Sequence, residues 1–203
     1  MELNTYPLVC TRGVVLYPNQ EIVIDVGRDT SVHAVENAQD NYDKKICLFS
    51  QKELEKENPG KEDIYPVGTL CEVRHIRRFD NFLRVKFRGI KRVKLNNWIN
   101  GSLSDLAEVE ILESEKQDAV EEEALIRMIA DELDRMQGQD RFVTKEIVME
   151  ISKGMGGEFL SDKAVQGLPL DIERKQQYLE TLGVNDRLMM LLCLLYTSPS
   201  PRD

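Results

Sequence analysis

The stretch from Thr69 to Leu95 constrains the fold most, because its polar and apolar residues alternate along much of its length. A period of two sends successive side chains to opposite faces of a strand. Leu83, Val85 and Phe87 point one way while Arg84, Lys86 and Arg88 point the other, and Val93 with Leu95 repeats the pattern against Arg92 and Lys94. Asp80-Asn81 reads as the tip of a hairpin between Arg78 and Phe82, and Gly89 as a second break, which predicts a three-stranded antiparallel meander. One face is core; the other is wet and basic. A sheet with one apolar side needs a covering layer, which the rest of the first half of the chain must supply.

Ahead of the meander, Tyr6 to Cys10 reads as a short apolar strand, followed by a turn at Arg12-Gly13 and an apolar run from Val14 to Tyr17 that Pro18 ends. Ile22, Ile24 and Val26 alternate with Glu21, Val23 and Asp25 in a further strand, after which Gly27 frees the chain to turn. Asp29 or Thr30 then caps a helix that carries Val32, Val35 and Ala38 and ends about Asp40. Lys45 to Phe49 is a buried strand that completes a strand, helix, strand unit. Residues 51–63 are charged, with Pro59-Gly60 at the turn, and read as a surface loop. Ala107 to Leu112 adds a last alternating strand.

After Glu113 the period changes from two to about 3.6. Val120, Ala124, Leu125, Met128, Ile129, Leu133 and Met136 form the stripe of one helix, with Glu121 to Glu123 on a solvated face and Gly138 as its stop. A second helix is expected from about Thr144, with Ile147, Val148 and Ile151 apolar, ending in the glycine-rich stretch from Lys153 to Gly157. A short helix from Ser161 to Gln166 stops before Pro169, Asp171 caps another bearing Ile172, Gln176 and Leu179, and Gly183 closes that one. Val184 to Leu188 begins a helix that is cut off almost at once. The fold class is therefore α+β, a β lobe with one helix over residues 1–112 and an all-α bundle over 113–192. Charge supports two lobes: of the formal −9, the first 112 residues hold 16 Lys+Arg against 17 Asp+Glu and the remainder 11 against 19.

Several function classes are excluded. No apolar run reaches the roughly 18 residues of a membrane span, and the N-terminus has no basic region leading into an apolar core, so a cytoplasmic protein is expected. Cys10, Cys47, Cys71 and Cys193 are scattered without a CxxC pair and read as small hydrophobes rather than metal or disulfide partners. The sequence holds no GxxxxGK[ST], HExxH or GxSxG pattern, and the cluster Gly154-Met155-Gly156-Gly157 lacks the Lys-Ser/Thr a phosphate loop needs. His33 and His75 are lone histidines. No catalysis, metal or cofactor is expected of this chain. Between Cys71 and Lys94, nine basic residues stand against two acidic ones, either a surface for nucleic acid or a solvated strand face whose Lys and Arg protect an edge.

One set of residues carries a resemblance. Tyr6-Pro7-Leu8, the run from Arg12 to Pro18, the run from Asp25 to Val32, Asp43 to Ile46, Gln51-Lys52-Glu53, Val67-Gly68-Thr69, Val85 to Arg92, Leu168-Pro169-Leu170 and Val184 to Leu188 resemble, in order, the amino-terminal domain of bacterial ATP-dependent Lon proteases. The pattern departs from the family at Cys10-Thr11 and from Gly154 to Glu158. The resemblance implies a pseudo-barrel lobe similar to the PUA superfamily followed by a helical bundle. It also implies a module that recognises unfolded or degron-bearing proteins and helps organise a homo-oligomeric, hexameric ring, with ATP, Mg and the Ser-Lys dyad belonging to domains that would follow. A free-standing PUA-like RNA-binding protein is the alternative, supported by fold similarity and the basic stripe alone; no membrane partner is expected and nucleic acid is disfavoured.

The family's substrate grip is expected on the first lobe. The polar corner Gly27-Arg28-Asp29-Thr30, leading into His33, makes Asp29, Thr30 and His33 the candidate contacts, although Asp29 and Thr30 as mere helix caps fit the same residues. Residues 193–203 are read as a Ser/Pro-rich tail that no helix could use. One legal choice of codons makes those residues resemble a transposase-end adapter from library construction. The expectation is a non-native tail on a truncated gene.

Overall fold

The computed structural model describes residues 4–136, 149 and 153–197. The chain divides into two compact units, Met1–Glu113 and Ser114–Asp203. The first contains strands β1 (Asn4–Thr11), β2 (Glu21–Val26), β3 (Lys45–Ser50), β4 (Val67–Arg78), β5 (Leu83–Ile99) and β6 (Leu106–Leu112), with helix α1 (Asp29–Asn41) between β2 and β3. The sheet runs β2-β5-β4-β3-β1-β6, and β6 also pairs with β5, so five strands close into a ring and β2 hangs from β5 outside it. This is the pseudo-barrel lobe with one helix. The strand, helix, strand unit is made by β1, α1 and β3, whose two strands are parallel with Leu8 opposite Cys47; β2, which immediately precedes the helix, pairs with β5 instead.

The hairpin at Asp80-Asn81 forms as predicted, with the Phe79 N–H donating to the Phe82 carbonyl at 2.9 Å. The predicted break at Gly89 does not occur. β5 runs through it as one strand of 17 residues. Cys71 stands opposite Gly89 and Leu70 opposite Lys91, which leaves Ile90 as a bulge residue. An extra residue shifts the side-chain phase. Leu83, Val85 and Phe87 accordingly join a cluster with Val9, Ile46, Leu48, Val73 and the α1 residues Ala34, Val35 and Ala38. Val93 and Leu95 join a second with Leu8, Cys47, Phe49, Leu70, Ala107 and Val109, which draws on every strand of the ring and is the barrel interior. Arg92, expected on the wet face, is only 2% exposed and lies opposite the buried Thr69, where both faces of the sheet are covered.

Gly89 is required for a different reason than a turn. The apolar run at Val14 to Pro18 is not a strand but a largely buried crossing segment, and a Cβ on Gly89 would run into the Tyr17 carbonyl and crowd Pro18. Side-chain hydroxyls hold that segment in place. Thr69 Oγ1 donates to the Leu16 carbonyl at 2.5 Å, and Ser50 Oγ and Thr11 Oγ1 donate to the Val14 carbonyl at 2.6 and 2.7 Å. The cap of α1 also differs from expectation: Arg28 is the N-cap residue, extended at φ −74 and ψ 135, with no side-chain cap bond. Asp29 is the first helical residue, where a carboxylate faces the positive end of the helix dipole.

The basic stripe is largely neutralised. Arg84 donates Nε and Nη2 to the two Asp25 oxygens at 2.7 Å each, Lys86 meets Glu21 at 2.5 Å, Lys91 meets Glu113 at 2.6 Å, Arg74 meets Glu72 at 3.0 Å, and Arg78 bonds Glu36.

In the second unit, α2 (Ala119–Met136), α3 (Gly157–Gly167), α4 (Ile172–Glu180) and α5 (Val184–Thr197) are described. The buried stripe of α2 is Leu125, Ile129 and Leu133, whereas Val120 and Met128, expected on it, are 80% and 45% exposed and Ala124 is exposed as well. The expected stop at Gly138 and the helix from about Thr144 lie outside the described residues, apart from an exposed Met149. Asp171 caps α4 as predicted, accepting from the Arg174 N–H at 2.8 Å. α5 is not cut off: it continues to Thr197 and buries Leu188, Leu191, Leu192 and Leu195, so it uses the first residues of the stretch expected to be useless to a helix. Nor is the acidic run simply solvated, since Glu122 Oε1 accepts the Gly157 N–H at 2.9 Å and Glu121 accepts from Asn185 at 2.9 Å.

Two outcomes follow from these contacts. Gly89→Ala should destabilise the first unit by about 1–3 kcal/mol or more through overpacking against backbone, read as a lower midpoint in urea unfolding. The pKa values of Asp25, Glu21 and Glu36 are lowered, first by hydrogen bonds from Arg84, Lys86 and Arg78. A depressed folded-state pKa contributes stability that is present above the unfolded value of about 4 and is lost as pH falls through the lower folded values. The thermal midpoint of the chain should therefore drop as pH is taken below about 4, and Asp25→Asn should flatten that drop.

Candidate functional site

The end of β1, the end of β2, the start of α1 and the loop after β3 converge on Arg28. Three adjoining cavities share this residue. One of about 320 Å³ lies between Val9 to Arg12 and Ile24 to Gly27, with Ser31 at its side. A second of about 180 Å³ is lined by Leu8, Cys10, Thr30, Glu57, Asn58, Trp98 and Asp105, and a third of about 440 Å³ by Arg12, Asp29, Thr30, Glu57 and Asn58. Together they make a groove around the first turn of the helix.

Arg28 sits there because Gly27 ends β2 and the next residue enters the helix from an extended backbone. Its guanidinium donates to Gln51 Oε1 at 2.5 Å, to the Cys10 carbonyl at 3.4 Å and to the Lys56 carbonyl at 3.4 Å. Gln51, fully buried, donates in turn to the carbonyls of Lys56 at 2.9 Å and Glu53 at 3.2 Å, while its own N–H donates to the Thr11 carbonyl at 2.9 Å. The pair thus fastens the charged loop after β3 to both β1 and the helix start. Burial, and then the neighbouring Arg12, lower the pKa of Arg28, which remains a cation at any ordinary pH. Burial pushes the Cys10 thiol up to about 12 against the opposing pull of Arg28, so it is a neutral wall of the groove and not a nucleophile.

Of the three residues singled out from the sequence, two line this groove and one does not. Thr30 borders two of its cavities and Asp29 one, both exposed. His33 lies a turn further along α1, with Nδ1 3.4 Å from Glu36 Oε2, in a cluster that Arg78 completes. Arg28, Gln51, Glu57, Asn58 and Trp98 were not singled out. Arg28 gave no separate signal, because Asp29 and Thr30 beside it supply ordinary cap residues and its N-cap position is seen only in the fold. Gln51 gave none, because its burial is decided by chain segments distant in sequence.

The family model of the substrate-binding domain of ATP-dependent protease La (Lon) matches residues 5–197. The chain belongs to the Lon substrate-binding domain family. It is 31% identical over 192 residues to the Lon protease of Buchnera aphidicola subsp. Schizaphis graminum, covering 94% of this chain and 25% of that protein. It is 30% identical over 190 residues to the Lon protease of Escherichia coli K12, covering 93% and 24%. The chain thus spans about a quarter of the length of these curated relatives. Among solved structures, the N-terminal domain of Mycobacterium avium complex Lon protease superposes with a TM-score of 0.78 at 18% identity, covering 97% of this chain and all of the other. A Lon N-terminal domain protein from Xanthomonas campestris gives 0.66 at 15% identity, covering 94% and 98%. Both share the fold. As a Lon substrate-binding domain the chain is a substrate-recognition module, and among its described residues no helix is long and apolar enough to cross a membrane.

Raised thiol pKa values at Cys10 and the buried Cys71, both caused first by burial, have a direct readout. Iodoacetamide at pH 8 should alkylate the exposed Cys193 while Cys10, Cys47 and Cys71 stay unmodified until denaturant is added, as followed by intact mass.

Proposed function

We propose that this chain is the part of an ATP-dependent serine protease that takes hold of unfolded or degron-bearing proteins, and that the groove around Arg28 is where it does so. The family match across residues 5–197 carries the reading. The groove supports it with a cationic donor at its centre, carboxylates at Asp29, Glu57 and Asp105 on its walls, and apolar surface from Val9 and Trp98. Such a mixture suits a main chain with varied side chains better than one small ligand. Contacts through Asp29 and Thr30 belong to this proposal; His33 enters it only as a flank of the same helix. The module also helps organise the homo-oligomeric ring of a cytoplasmic parent, and ATP and Mg serve the parent's other domains, so that this chain catalyses nothing by itself.

Recognition of RNA on the basic stripe has less support. Five of its cations are paired with carboxylates. Phe79 and Phe82 stack on each other at 4.6 Å between ring centroids, with Arg77 and Arg84 over their faces, which occupies the surfaces that bases would use.

Fluorescein-labelled casein, an unfolded polypeptide, should bind the chain in an anisotropy titration, and Arg28→Ala should weaken that binding about tenfold, as loss of a central Arg contact does elsewhere. Single-stranded RNA should fail to displace the casein at low or high salt, since a phosphate-bound ligand would show a steep salt dependence. ATPase activity or casein cleavage by the purified chain would overturn the assignment of catalysis to other domains.

A further inference from the structure

Among the described strands of the first unit, β2 alone has a single strand neighbour. It pairs with β5 on one side, from Glu21 opposite Arg88 to Val26 opposite Leu83, and among the described residues no strand pairs with its other side. The alternation of the ladder says which groups face outward. The Phe79 N–H bonds the Phe82 carbonyl, and Arg77 and Arg84 continue that phase, so Arg84 and Lys86 bond β4 while Leu83, Val85 and Phe87 bond β2. The Gly89 N–H, donating to the Gln20 carbonyl, fixes the same phase from the other end. Ile22, Ile24 and Val26 therefore bond β5, and the N–H and C=O groups of Glu21, Val23 and Asp25 point to the free edge.

That edge lacks the devices that usually block pairing. β2 contains no Pro, no Lys and no bulge, and it is six residues long. Its two acidic side chains are tied down on the outer face by Lys86 and Arg84, and Val23 between them is 56% exposed. The 320 Å³ cavity described above begins at Ile24 and Asp25 and runs on to Arg28, so the open edge leads into the groove.

We propose that an extended segment of the client polypeptide adds to the free edge of β2 as a further antiparallel or parallel strand, bonding the main chain of Val23 and Asp25 before entering the groove at Arg28. The occupant is an unfolded chain because only a continuous extended backbone presents donors and acceptors at the spacing of the outward groups. Recognition through main-chain bonds reads the absence of structure rather than a sequence. The inference rests on the reading that the chain binds unfolded polypeptide, and it adds the mode of binding.

Proline at position 23 tests it. Val23 donates nothing to β5 and its side chain is exposed, so Val23→Pro removes an outward N–H at a position where an edge strand tolerates proline. Val23→Thr keeps the N–H and a β-branched side chain. With labelled casein, Val23→Pro should raise Kd about fivefold or more, in line with losing main-chain hydrogen bonds, and Val23→Thr should leave it within about twofold. Equal binding by wild type and Val23→Pro, or equal loss in both variants, would overturn strand addition while leaving the groove reading intact. No casein binding by wild type would overturn both. Should Val23→Pro melt early, an extended model peptide that binds wild type replaces casein, and N-methylation at alternate residues should abolish its binding; unchanged binding in every methylation phase would overturn the proposal. Light scattering covers the remaining occupant: a wild-type dimer that Val23→Pro dissociates without loss of casein binding would assign the edge to a second copy of this chain and overturn strand addition by client.

Discussion

The passage of Tyr17 over Gly89 is the contact on which the first unit depends. Because position 89 has no side chain, the crossing segment before β2 can lie on the backbone of β5, and the bulge at Ile90 re-aims the strand immediately afterwards. One strand can then pair with β2 and β4 in its first half and with β4 and β6 in its second. The ring closes because β5 bends, and β2 is left outside because the second half of β5 has given that flank to β6. The open edge and the groove beside it are consequences of the same bend.

A second device recurs in both units. Polar side chains, buried or partly so, satisfy backbone groups that regular structure leaves over, and in doing so they fix loops. Arg28 and Gln51 do this for the loop after β3. In the helical unit, Asn185 donates to the Asp118 carbonyl at 2.9 Å while Gln117 accepts the Asn185 N–H at 2.9 Å, and Arg187, fully buried, donates to the Thr181 carbonyl at 3.1 Å and Ser114 Oγ at 3.2 Å. Buried groups of this kind are costly to strand without partners, so the segments they hold are held in one arrangement. Glu122 at the start of α3 follows the same logic, a carboxylate in the place where a helix start wants an acceptor.

The groove and the edge are the features on which the proposed binding of unfolded chains rests. On the proposed reading, the groove offers two cations, Arg12 and Arg28, several carboxylates and patches of apolar wall, and the strand edge offers main-chain groups that an extended polypeptide can meet. Neither demands a particular client sequence. On that reading the closed ring beneath them holds the offered groups in place, and the ordering on binding falls on the client.

Alternation in β2 and in the first half of β5, the period change after Glu113, the Asp80-Asn81 hairpin and the Asp171 cap were all legible in the sequence, because each is decided within a few residues by side-chain period, turn chemistry or capping. The family was legible too, from short matches kept in order. Closure of the ring was not, since it depends on β6 meeting β5 across the barrel and on a bulge that reads in the sequence as a break. Local pattern placed Arg92 in solvent and Val120 and Met128 in a helix stripe, and tertiary packing decided otherwise: coverage of both sheet faces buries the first, and the face α2 turns to its neighbours exposes the others. Asp29 and Thr30 were singled out because a polar corner at a helix start is a local signal, and both line the groove. Arg28 and Gln51 emerged only when β1, α1 and the loop after β3 came together, because Arg28 bonds Cys10, Gln51 and Lys56, and Gln51 bonds Thr11, all in segments brought together by the fold.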